Sequence, residues 1–200
     1  GAKFIDYIIA DEVVLPKEDQ KYFSEKVIYL PYCYQANMSK REISSKKFER
    51  KDFGLPHEGF VFCSFNNNYK ITPNIFDSWM TILKEVKNSV LWVLKSNEVA
   101  IKNLREVAKE RGVDENRIIF ASFMSNDEHL KRITLADLFL DSFPYNAHTT
   151  ASDAVRMGIP IITLTGKSFS SRVGASILKT INMEKLITYN KNDYEELAIE

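Results

Sequence analysis

From residue 60 onward, short β-branched or aromatic runs alternate with stretches whose apolar residues recur at helical spacing. Such alternation predicts βαβ units and a parallel sheet. Six strands are expected, at "FVFCSF" (60–65), "SVLWVLK" (89–95), "RIIFAS" (117–122), "DLFLDS" (137–142), "IPIITL" (159–164) and "LITY" (186–189). Their runs are almost uninterruptedly apolar, as strands covered on both faces require.

The helical stretches carry start and stop signals. Thr72 and Pro73 predict a cap followed by proline at the first helical position, with Phe76, Trp79, Met80, Leu83 and Val86 on one buried stripe. A second helix aligns Ile101, Leu104, Val107 and Ala108 and stops at Gly112. A third opens at "SNDE", where Ser125 and Glu128 are spaced for a capping box. The stretch "SFSSRVGASILKTI" aligns Val173, Ile177 and Ile181, and Asn192 with Glu195 predicts a last box.

Residues 1–58 read differently, with strands expected at "FIDYIIA" and "KVIYLP" and a basic linker "SKREISSKKFERKDFGLP". They are too few to build a domain alone. The fold class expected for the remainder is α/β, a Rossmann-like doubly wound parallel sheet.

Charge narrows the partners. The 27 basic and 27 acidic residues cancel, so no global field recruits nucleic acid or an anionic membrane surface. No apolar run reaches the roughly 18 residues of a membrane span, and the start lacks the pattern of a signal peptide, so a cytoplasmic location is expected. Cys33 and Cys63 are read as reduced thiols. Gly1 at the start and the helical pattern "NDYEELAIE" at the end lead us to expect a piece of a longer protein.

Ligands of open α/β sheets bind beyond the carboxyl ends of the strands, where strand order reverses. Three polar clusters fall at that edge: "NNNYK" (66–70), "SNDEHLKR" (125–132) and "PYNAHTT" (144–150). With the common strand order 3-2-1-4-5-6, Lys70 and His148 face each other across one crevice. The helix after "HTT" offers free N–H groups and a positive dipole end to a diphosphate. Thr149, Asp153 and Arg156 share a face of it, which sets the Asp153 carboxylate beside the phosphate site for the vicinal hydroxyls of a ribose. His129 and Arg132 share a helical face suited to stacking on a flat base and bonding its edge. Each residue also has an ordinary reading: Thr149 as an N-cap, His129 and Lys70 as surface residues, Tyr69 and Tyr145 as packing groups.

Other chemistry is excluded by motif. GxGxxG after the first strand, GxxxxGK[ST] and GxSxG do not occur, and no histidine, cysteine or carboxylate cluster has metal-ligand spacing. The D-x-D pattern that often holds a metal on a sugar diphosphate is missing too.

The stretches "FCSFNNNYKITPNIFDSWMTILKEVKNSVLWVLK" and "RIIFASFMSNDEHLKRITLADLFLDSFPYNAHTTASDAVRMGIPIITLTGKSFSSRVGAS" together resemble the C-terminal catalytic lobe of the O-GlcNAc transferase family, glycosyltransferase family 41. The shared motifs are N-x-x-Y-K, D-E-H-x-x-R and H-T-T-x-x-D. The resemblance implies a GT-B fold and inverting, metal-independent transfer of N-acetylglucosamine from UDP-GlcNAc to serine or threonine hydroxyls of proteins, with no cofactor. It implies that residues 1–58 are the end of an N-terminal lobe and its linker, and that 59–200 are the nucleotide-sugar-binding lobe. Lys70 matches the lysine that stabilises charge on the UDP leaving group, the catalytic role. Asn67 stands where the family has a glutamine near the phosphates. His148, Thr149 and Thr150 match the sugar and diphosphate contacts, Asp153 the ribose aspartate, and His129 and Arg132 the uracil contacts. Tyr69, Met124 and Asn126 complete the implied substrate-binding set, Asn126 replacing a ribose-binding lysine of animal members.

The intervening domain of animal members is missing, which implies a bacterial-type member, with tetratricopeptide repeats expected in the parent protein. Isolated, the 200 residues are expected to bind nucleotide without turnover. Two other functions fit the same residues: a GT-B transferase acting on asparagine, a lipid or a small molecule, and a non-catalytic nucleotide-binding module.

Overall fold

The computed structural model describes residues 2–200, and in them the six expected strands form one parallel sheet. Ahead of it, β1 (Tyr7–Ala10) and β2 (Lys26–Tyr29) pair in parallel as a separate two-stranded sheet. The large sheet comprises β3 (Phe60–Ser64), β4 (Ser89–Leu94), β5 (Ile118–Ala121), β6 (Leu138–Leu140), β7 (Ile161–Leu164) and β8 (Ile187–Thr188), in the order β5-β4-β3-β6-β7-β8. Counted within the sheet this is 3-2-1-4-5-6, so the reversal lies between β3 and β6, where Cys63 pairs with Phe139.

Alternation along the strands separates two apolar layers. Val61, Cys63, Val90, Trp92, Phe139 and Ile161 project to one face, and Phe62, Leu91, Val93, Leu138, Leu140 and Ile162 to the other. Helices α1 (Pro73–Glu85), α2 (Glu98–Glu110) and α6 (Lys191–Ile199) cover the second face. The first is covered by α3 (Asn126–Ile133), α4 (Thr149–Arg156) and α5 (Val173–Thr180), together with Ala10, Val14 and Leu15 from the amino-terminal segment. Each fully buried aliphatic or aromatic side chain contributes roughly 1.5–3 kcal/mol relative to exposure. A polar tie crosses the second layer: Trp79 Nε1 donates to Tyr194 Oη at 3.2 Å, and Tyr194 Oη donates to the Asp141 carbonyl at 2.9 Å.

Several helix signals act as expected, and four differ. Pro73 stands at the first position of α1, and Gly112, with φ of 74°, follows the end of α2, but Thr72 takes the N-cap position without a side-chain cap bond. Ile181 is 41% exposed because α5 ends at Thr180, where Asn182 turns left-handed with φ of 58°. The last helix is capped two residues earlier than expected and by a single bond rather than a box, with Asn190 Oδ1 accepting from Asp193 N–H at 2.9 Å, since the chain leaves β8 at Thr188. Ser125 precedes α3 without a side-chain cap bond, because its hydroxyl pairs with Asp127 and Glu128 pairs with Lys46.

Candidate functional site

Polar side chains gather at the carboxyl ends of β3 and β6, on either side of the reversal. After β3 the chain makes a short 3-10 turn at Asn68–Lys70, whose N-cap Asn67 accepts from Tyr69 N–H at 3.5 Å. The turn drives Lys70 inward to 8% exposure. Its Nζ donates to the Asn146 carbonyl at 2.7 Å and lies 4.1 Å from the centroid of Tyr145. Burial pulls this ammonium below the usual lysine range, against the opposing attraction of Asp141. Tyr145 in turn stacks on His148, with centroids 5.2 Å apart, while Tyr69 stays exposed at its edge.

His148 is the N-cap of α4, and its Nδ1 lies 3.3 Å from the hydroxyl of Tyr34. Its Nε2 is buried with no partner among the described residues. Burial, then the Lys70 charge, lowers its pKa and favours the neutral imidazole. The first bond of α4 runs from Ser152 N–H to the His148 carbonyl at 3.1 Å. The N–H groups of Thr149, Thr150 and Ala151 therefore lie outside the helix ladder, where they and the dipole favour an anion. Thr149 is exposed at the first helical position rather than serving as the cap. Thr150 turns back, its Oγ1 donating to Asn66 Oδ1 at 2.8 Å.

A buried polar frame holds this loop in place. Asp141, at the end of β6, accepts from Ala147 N–H at 2.6 Å and from Thr163 Oγ1 at 2.7 Å. Burial pushes its pKa up to about 7 despite these bonds. Asn146 Nδ2 donates to the carbonyls of Ser142 and Leu164 at 2.9 and 3.3 Å, and Asn66 Nδ2 donates to Ser142 Oγ at 3.1 Å. Gly174 lies against Asp141 and Thr163 so closely that any Cβ there would collide with both. Asn66 and Asn146 lie within the polar clusters picked out from the sequence, whereas Asp141 and Tyr34 do not, since Asp141 reads as part of an apolar strand and Tyr34 meets His148 across 114 positions.

The third cluster lies on α3. Arg132 is 1% exposed, donates Nη1 to the Ser122 carbonyl and Nε to His129 Nδ1 at 3.0 Å, and lies near the rings of Phe65 and Trp92. It is turned into the protein, and the group presented outward is half-buried His129, whose Nδ1 accepts from Arg132 and so leaves the proton of the neutral ring to Nε2. Burial and the charges of Arg132 and Arg41 push the His129 pKa down to about 4. Asn126 is exposed at the first position of α3, and Met124 is half-buried beside it.

Asp153 is buried on α4, and its carboxylate pairs with Arg41 from the linker. That partner escaped the sequence reading, which took the basic stretch as linker only. Asn126, Asp127, Thr149 and Arg41 line a cleft of about 660 Å³. Lys70, His148, the α4 amino terminus, Asp153 and His129 thus lie along the carboxyl edge of the sheet.

Comparison with known proteins is decisive here: the family described as glycosyl transferase family 41 matches residues 36–200. The chain belongs to this family. Among curated relatives, the Arabidopsis thaliana "Probable UDP-N-acetylglucosamine--peptide N-acetylglucosaminyltransferase SEC" is 37% identical over 205 residues, covering 100% of the chain and 21% of the relative. The Caenorhabditis elegans UDP-N-acetylglucosamine--peptide N-acetylglucosaminyltransferase is 36% identical over 150 residues, 75% of the chain and 13% of the relative. The chain thus spans about a fifth or less of the curated relatives it matches. Among solved structures, a point mutant of Thermobaculum terrenum O-GlcNAc transferase superposes with TM-score 0.82 at 24% identity, over 97% of the chain and 36% of that protein. An Anabaena protein, HepE, in complex with UDP and glucose superposes with TM-score 0.51 at 15% identity, over 96% of the chain and 58% of that protein. The fold is that of a GT-B lobe.

Proposed function

We propose that the chain is the donor-binding lobe of a UDP-GlcNAc-dependent protein O-GlcNAc transferase. The observation that carries this reading is the meeting of Lys70, His148 and the open amino terminus of α4 at the strand-order reversal of a family 41 fold. There the diphosphate of UDP takes the free N–H groups of α4, and Lys70 stabilises the charge that develops on it as the sugar leaves. A protein ammonium and a helix terminus supply the positive charge, and the reading needs no metal.

The remaining residues fit around that centre. Asp153 takes the ribose hydroxyls, and neutral His129 offers its ring to the uracil, held at Nδ1 by Arg132. Arg132 acts on the base through His129 and through its hold on the Ser122 carbonyl. Asn67, Tyr69, Met124, Asn126 and Thr149 form the rim, and Thr150 fixes the loop through Asn66.

Serine and threonine hydroxyls of proteins are the proposed acceptors, with inversion at the sugar. Residues 1–58 are proposed as the end of a preceding lobe with its linker, and 59–200 as the donor lobe. For the parent protein we propose tetratricopeptide repeats and a cytoplasmic location; no helix among the described residues is long and apolar enough to cross a membrane.

Incubation of the full-length protein with UDP-GlcNAc and serine- or threonine-containing peptides tests the reading. Release of UDP with a matching N-acetylhexosamine mass on a hydroxyl residue is expected. Transfer to asparagine or to a lipid instead would overturn the acceptor assignment.

A further inference from the structure

The basic linker runs over the nucleotide cleft. Asn37 Nδ2 donates to Ser152 Oγ at 3.4 Å, and Arg156 donates to the carbonyls of Met38 and Ser39. Further on, Ser44 N–H donates to the Asp127 carbonyl at 3.2 Å, and Lys46 pairs with Glu128. The linker is thereby tied to both α3 and α4, the helices whose amino termini border the cleft.

One side chain of this segment goes inward. The Arg41 side chain is 16% exposed, against 64% for that of Lys46. Its Nη1 meets Asp153 Oδ1, and among the described residues neither Asp153 Oδ2 nor the other guanidinium nitrogens have a hydrogen-bond partner. These groups are not sealed from solvent, and Arg41, with Asn126 and Thr149, lines the 660 Å³ cleft, where a ligand can reach them. Those two are neutral, Asp127 and Glu42 are acidic, and Arg41 and the exposed Lys40 are the basic groups of this wall.

We propose that Arg41 is a nucleotide-binding residue. It holds Asp153 by one carboxylate oxygen, leaves the other to a ribose hydroxyl, and gives its remaining N–H groups to the oxygens of the nucleoside diphosphate. The guanidinium fork matches phosphate oxygens, and its charge adds to that of Lys70 at the far end of the site. Arg41 is then the means by which the linker completes the donor site. The inference rests on the reading of this cleft as a UDP site.

Calorimetric titration of the full-length protein with UDP and with uridine separates the two. Arg41→Ala is expected to weaken UDP about tenfold or more while changing uridine much less, as loss of a charge-assisted phosphate contact requires. Arg41→Lys, which keeps the ion pair and loses the fork, is expected to weaken UDP by a smaller factor, and it serves if the alanine variant fails to fold. Unchanged or tighter UDP binding in either Arg41 variant, with Lys70→Ala still weakening it, would overturn the inference and leave the site reading intact. No UDP binding by the unsubstituted protein would overturn both.

Discussion

The ammonium of Lys70 donates a 2.7 Å hydrogen bond to the main-chain carbonyl of Asn146, a residue 76 positions away on the other side of the strand-order reversal. The bond locks the loop after β3 to the loop after β6. It also sets the positive charge beside Tyr145 and His148 before any ligand arrives. Charge held ready in a partly buried site costs no reorganisation during reaction, which is where electrostatic catalysis gains most.

Removing that charge has a defined outcome. Lys70→Met keeps much of the packing and loses the ammonium, so sugar transfer by the full-length protein falls by about 10²–10³-fold, the usual effect of deleting one donor at a developing anion. The fall appears in kcat, with thermal unfolding showing the fold retained. A loss confined to KM would assign Lys70 to binding alone.

His129 and Arg132 part company on substitution. His129→Ala removes a stacking surface and weakens UDP by about 1–3 kcal/mol, with little change in Tm. Arg132→Ala strips the Ser122 carbonyl and His129 Nδ1 of their buried donor and opens a cavity, so it destabilises the protein by about 2–4 kcal/mol. Chemical denaturation of the two variants checks the contrast; equal stabilities would contradict it.

Gly174 is a packing constraint on Asp141, which anchors the loop after β6. Gly174→Ala drives a methyl group into Asp141 and Thr163 and costs about 1–3 kcal/mol. Because Asp141 holds Ala147 N–H, UDP affinity falls along with stability. A variant as stable as the parent would show that the frame yields.

Two buried groups give opposite pH dependences. The pKa of Asp141 is raised in the fold to about 7, so its contribution is complete below the ordinary carboxylate pKa and is lost as pH rises through about 7. His129, lowered to about 4, is buried neutral, and its contribution is present above about 6.5 and lost as pH falls towards 4. Asp141→Asn removes the alkaline loss, so the variant gains Tm relative to the parent more at pH 8.5 than at pH 5. A constant difference between the two would contradict the buried ionisation of Asp141.

The layered fold was legible because strands buried on both faces leave apolar runs that no exposed segment needs, as Val61 through Phe65 and Val90 through Leu94 show. The polar edge was legible for a related reason: polar residues placed directly after such strands, as in Asn66–Lys70 and Tyr145–Thr150, fall at the carboxyl edge of the sheet. What periodicity could not supply was the partner of each group. Arg41 and Asp153 are 112 positions apart, and nothing local distinguishes Arg41 from the other basic linker residues. Arg132 shows the same limit, since helical spacing puts it on one face with His129 yet leaves open which of the two goes inward. Ile181 continues the apolar period of α5 beyond the point where the backbone turns away.

The central claim is that one UDP molecule spans the carboxyl edge of the sheet, and a crystal structure of the protein with UDP tests it most directly. The account predicts the diphosphate on the N–H groups at the start of α4 with Lys70 Nζ in contact, the ribose on Asp153, and the uracil against His129. UDP bound elsewhere, or in this crevice with its phosphates away from both Lys70 and α4, would contradict it.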